Sequence, residues 1–73
     1  MSDSPPPRYE FRVGGHLGDM MLGAFEDLEA ETPTGAYTLL RGEMADQAAL
    51  FGVLSQIQAL GLELLEVRRL PRI

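Results

Sequence analysis

The sequence contains no cysteine and no lysine, and its single histidine is His16. Each absence closes a class of chemistry. Without cysteine there are neither disulfides nor thiolate metal ligands. Without lysine there is no Schiff-base chemistry and no phosphate-loop lysine, and all six basic residues are arginine. One histidine builds no zinc site without other strong ligands. No apolar run reaches the roughly 18 residues of a membrane span. The first seven residues are polar and proline-rich and lack the apolar core of a signal peptide. The expectation is a cytoplasmic protein with no cofactor and no metal.

What is present is ordinary globular material, 45% hydrophobic and 23% charged. With 73 residues there is room for one domain only. Such a chain buries about 60% of the surface its unfolded form exposes. Small domains of this kind lean on disulfides, a metal or a partner subunit, and composition leaves the partner subunit. The net charge of −5 and a pI near 4.6 argue against nucleic acid, because phosphate neutralisation needs a basic surface.

Residues 1–7, with three consecutive prolines, read as a disordered proline-rich tail. Residues 8–73 read as a single domain. Residues 8–13 alternate, with Tyr9, Phe11 and Val13 on one face and Arg8, Glu10 and Arg12 on the other, which is a half-buried strand. Residues 18–26 predict a short helix with Asp19 as N-cap and Gly23 as a weak point. Residues 27–32 and 36–43 predict a hairpin around Pro33-Thr34-Gly35, although a first helix continuing to Glu31 is a rival reading. Residues 45–60 give the clearest signal. Asp46 caps the start, Leu50, Val53, Leu54, Ile57 and Leu60 form one apolar stripe, and Gly61 ends the helix. Residues 62–70 form a last strand, stopped by Pro71. The order β-α-β-β-α-β predicts an α+β, ferredoxin-like fold, a four-stranded antiparallel sheet with two helices on one face.

In that plan one sheet face stays uncovered. Adjacent strand residues point to opposite faces, so the pairs Leu39-Leu40 and Leu64-Leu65 each place one leucine on the open side. Phe51 lies about 100° off the helix stripe. Leu39, Leu40, Phe51, Leu64 and Leu65 are therefore the candidate interface, and a homodimer through the open face is the expectation. The arginines on the strands and the seven carboxylates from Asp19 to Asp46 suggest a charge split that would guide pairing. Those carboxylates follow no EF-hand spacing.

The segment Gly14-Gly15-His16-Leu17-Gly18-Asp19 links a strand to a helix, where anion-binding loops sit. It matches no established phosphate-loop pattern. Gly14, Gly15, His16 and Asp19 form the candidate ligand loop. No nucleophile-base arrangement accompanies them, since Ser2 and Ser4 lie in the tail and Ser55 on a helix.

Three stretches carry a resemblance: Tyr9-Glu10-Phe11-Arg12-Val13-Gly14-Gly15-His16-Leu17, Ala45-Asp46-Gln47-Ala48-Ala49-Leu50, and Leu60-Gly61-Leu62-Glu63-Leu64-Leu65-Glu66-Val67. In these the chain resembles a family of small uncharacterised bacterial proteins from actinobacteria and other high-GC genomes. The resemblance implies a histidine in other members where Phe51 stands here, and aromatic residues where Met20 and Met21 stand. It implies no activity. The leading functional expectation is a non-enzymatic interaction or regulatory module that self-associates. The alternatives are an ACT-like small-ligand sensor and, behind it, an enzyme of the dimeric α+β barrel kind built around His16.

Overall fold

Residues 5–71 are described by a computed structural model. The expected tail falls partly outside that range, at residues 1–4, and its last residue is held: the Met44 amide donates to the Pro7 carbonyl at 2.9 Å.

The chain forms β1 (Arg8–Gly14), α1 (Asp19–Leu22) running on into a 3-10 turn at Gly23–Phe25, β2 (Glu29–Glu31), β3 (Tyr37–Glu43), α2 (Gln47–Ala59) and β4 (Leu64–Arg69). The four strands make one antiparallel sheet in the order β2-β3-β1-β4. The α+β class, the four-stranded antiparallel sheet, the two helices and the element order match the expectation, and the differences within the elements lie at boundaries. The rival of a first helix continuing to Glu31 does not hold, because Glu29–Glu31 pairs with β3.

The first helix is a single α turn. Its cap is Gly18, without a side-chain bond, rather than Asp19. The Leu22 amide reaches the Gly18 carbonyl at 3.0 Å and closes the turn one residue earlier than expected. Asp19 becomes the first helical residue, its carboxylate near the positive end of the turn. Gly23, Ala24 and Phe25 then tighten into the 3-10 turn, which drives Phe25 into the core.

α2 is set by local chemistry at both ends. The Asp46 carboxylate accepts from the Ala49 amide at 2.9 Å, a cap worth about 1 kcal/mol. At the other end Gly61 has φ +72, a left-handed conformation that favours glycine. Its amide donates to the Gln58 carbonyl and that of Leu62 to Ile57, which together form a Schellman cap. Leu62 is spent on this cap, so β4 begins two residues later than expected.

The core lies on one face of the sheet. Phe11, Val13 and Leu40 from the strands meet Leu17, Phe25, Met44 and Ile57, with Leu50, Val53, Leu54 and Leu60 packed around them. Phe11 stands opposite Leu40, and both are fully buried. Gly42 lies on this same side, where a Cβ would collide with the Leu28 side chain. A larger residue there would force the Leu28 side chain to move, because the segment before β2 settles close to β3, with the Asp27 carbonyl 3.4 Å from that position.

Candidate functional site

The open face of the sheet is built from charge. Register places Glu29, Arg41, Glu10 and Arg68 side by side across all four strands, alternating in sign along one rung. Arg41 Nε donates to Glu10 Oε2 at 2.7 Å, and Arg68 donates to Glu10 Oε1 at 3.1 Å. Arg41 also reaches Glu31 at 2.9 Å, and Arg8 reaches Glu29 at 2.8 Å. On the next rung Arg12 stands 3.7 Å from Glu66 and 4.8 Å from the centre of the Tyr37 ring. The buried Arg12 Nε has no hydrogen-bond partner among the described residues.

Glu10 is the centre of this lattice. Its side chain is only 6% exposed, whereas those of its two arginine partners are 30% and 57% exposed. The Arg41 hydrogen bond holds its carboxyl below the usual range, against the burial that would raise it, and Arg68 adds to the lowering. Glu29 is also held low, chiefly by its hydrogen bond from Arg8. The hydrogen bonds of Arg41 to Glu10 and then to Glu31 raise its own pKa. Exposed pairs of this kind contribute little singly. The Glu10 carboxylate differs, because losing a partner would leave a buried charge half satisfied.

This corrects the expected apolar open face. Leu40 belongs to the core and takes no part in that face. Leu39 does stand on the open side, opposite Arg12 and Glu31, yet it is only 7% exposed. Register sets it between Arg12 and Glu31, residue types whose long aliphatic stems cover apolar surface. Leu64 and Leu65 remain exposed, at 41% and 48%, as do Val67 at 38% and Phe51 at 56%. Val67 was not among the candidates, because strand alternation assigns it to the covered face, opposite Phe11. There it lies beyond the reach of the helices.

These exposed residues gather at one side of the molecule. Every residue of β4 is exposed. Among the described residues the strand pairs with β1 only, and a register shift at Arg12/Val13 disturbs the ladder near Leu64 and Leu65. On α2 the flank bearing Ala49, Gly52, Val53 and Gln56 faces the 3-10 turn across a cleft of about 350 Å³. Helix geometry puts Phe51, Leu54 and Gln58 on the opposite flank. In the order β2-β3-β1-β4 that is the β4 side. Met20, 96% exposed, stands apart on α1.

The candidate ligand loop is closed on itself. The buried Thr38 hydroxyl donates to the Gly15 carbonyl at 2.9 Å and accepts from the Leu17 amide at 3.3 Å. The Gly15 amide donates to Ala36 and the Gly14 amide to Glu63. Leu17 is thereby pinned in the core, and the Gly14 and Gly15 amides are both taken up by backbone carbonyls. His16 and Asp19 are exposed, and neither lines the two described clefts. Among the described residues no group of three or more His, Asp or Glu side chains is placed to hold a metal ion. No helix there is long and apolar enough to cross a membrane.

Fold and surface together define a small α+β domain with a charge-laced open sheet face and an apolar sheet edge. The chain belongs to the family described as Domain of unknown function (DUF8691), whose model matches residues 8–68. No curated protein and no solved structure matches it.

Proposed function

We propose that this protein is a non-enzymatic interaction module of the ferredoxin-like, split-βαβ kind that works as a homodimer. The strand order β2-β3-β1-β4 and the antiparallel register support the topology. The observation that carries the function is the concentration of Leu64, Leu65, Val67 and Phe51 along β4 and the adjoining flank of α2. A domain this small gains from covering such surface. Association moves accordingly from the open sheet face to its β4 edge.

Light scattering across a dilution series tests the reading. The expected result is a mass twice the 8.0 kDa of the chain, falling toward the monomer on dilution. A monomer at every concentration up to hundreds of micromolar overturns it.

A second reading rests on the cleft of about 350 Å³ between the 3-10 turn and α2. Phe25, Met44 and Val53 line it together with three carboxylates, Glu26, Asp27 and Glu43. Such a site suits a small apolar ligand carrying a positive charge, in an ACT-like sensing role that no longer involves the Gly14-Gly15 loop. A thermal-shift screen with amines and amino acids tests it, since a ligand at about 100 times its Kd adds roughly 2.7 kcal/mol of stability. A flat screen removes it.

A further inference from the structure

We infer that two copies of this chain pair β4 with β4, antiparallel and centred on Val67, to make one continuous eight-stranded sheet. The inference rests on the self-association proposed above and specifies its geometry.

The backbone supplies the first argument. The Leu70 amide donates to the Arg8 carbonyl at 2.8 Å. In an antiparallel ladder such bonded pairs alternate with unbonded ones. With Tyr9 opposite Arg69 and Phe11 opposite Val67, the amide and carbonyl of Val67 and Arg69 point away from β1. They form a free ladder edge, and no described strand lies beyond it.

The side chains supply the register. A two-fold axis normal to the sheet pairs residues lying on the same face, so the centre falls on a residue and not between two. Centring on Glu66 would oppose Glu66 to its own copy, and centring on Arg68 would oppose two arginines. Like charges directly opposite are destabilising. Centring on Val67 sets Glu66 opposite Arg68 of the second copy, twice by symmetry. The open-face rung Glu29–Arg41–Glu10–Arg68 then continues across the seam into Glu66 and Arg12 of the other copy, still alternating in sign. On the helix side, valine meets valine. The two Val67 residues occupy an outward-pointing position, so each bonds the other twice.

The other edge does not compete. β2 is three residues long, two of them glutamates, with Pro33 close behind, a protected edge.

The experiment uses the absence of native cysteine. In a bonded antiparallel pair the Cα atoms are about 5.5 Å apart, within disulfide reach. Val67→Cys is expected to cross-link to its own copy under mild oxidation. Leu65→Cys is not, because the two copies of residue 65 would stand about 14 Å apart. Val67→Pro removes an amide that β1 does not use, and is expected to raise the dimer dissociation constant on the order of 100-fold while leaving the circular dichroism of the fold intact. Glu66→Arg, which opposes two arginines at each seam position, is expected to raise it about tenfold; it carries the energetic test if the proline variant fails to fold. A dimer that cross-links at 65 and not at 67, that cross-links at neither, or that ignores a folded Val67→Pro overturns β4 pairing while self-association stands. A wild-type monomer removes both.

Discussion

At one edge of the sheet stands β2, three residues of Glu-Ala-Glu, its two carboxylates tied to Arg8 and Arg41 and a proline just beyond. At the other stands β4, six residues long, with Leu64, Leu65 and Val67 all exposed and no described strand beyond its outer backbone groups. β2 pairs with β3 and β4 with β1, and those two central strands are paired with each other along their whole length, so the difference is not one of support. It is one of side chains and length. Ion pairs and brevity close the first edge to further strands, whereas aliphatic surface and the outward backbone groups of Val67 and Arg69 leave the second ready for one.

Breaking the frame that both edges share has the largest expected effect. Leu40→Ala removes a fully buried side chain opposite Phe11 and should cost about 2–5 kcal/mol, read as a lower denaturant midpoint. Both edges should lose amide protection together. If β4 kept its protection while β2 lost it, the two edges would not share one cooperative core.

Arg41→Ala acts on the β2 side. It leaves Glu10 buried with Arg68 alone and frees Glu31, at an expected cost of about 1–3 kcal/mol. Hydrogen exchange should accelerate at residues 29–31 more than in β4. Uniform acceleration would show that the lattice holds the whole sheet and not that edge.

Acid probes the same lattice through its central carboxylate. The folded pKa of Glu10 lies below that of the unfolded chain, so its stabilising contribution is present above about pH 4.3 and is lost as the pH falls through the lower folded value. Glu10→Gln should be less stable than wild type at neutral pH, and its stability should fall less steeply below pH 4. Parallel acid profiles for the two proteins would show that Glu10 does not contribute to the acid sensitivity of the fold.

The smallest expected change in stability, within about 0.5 kcal/mol, comes from Glu29→Val at the exposed edge of β2. Its effect on association sharpens the contrast most. It turns part of the protected edge aliphatic, and the variant should form species larger than a dimer by light scattering. An unchanged mass would assign the protection of this edge to its length and to Pro33 rather than to charge.

Much of the fold is legible in the chain because its signals are local. The alternation of residues 8–13, the apolar stripe from Leu50 to Leu60, Asp46 at one end of α2 and Gly61 at the other each act within a turn or two. The first helix was less legible. Gly18 caps in place of Asp19, and Gly23 shortens the α turn, because packing of Phe25 and Leu17 decides the path of a segment with little propensity of its own. The candidate surface was half legible. Alternation correctly separates Leu39 from Leu40, but it does not reveal that Arg12 and Glu31 flank Leu39 across the strands. Val67 was missed for the complementary reason: a residue on the covered face of a sheet stays exposed where the helices do not reach.

The sequence by itself determined the element order, the two caps of α2, the chain reversal at Gly61, and which strand positions carry charge. These follow from periodicity, capping and backbone freedom, which act among near neighbours. The tertiary structure alone decided which charges meet and which apolar residues stay uncovered. Glu10 finds Arg41 at a separation of 31 residues and Arg68 at 58. Pairing at that range depends on strand order and register, which no short window of the chain contains.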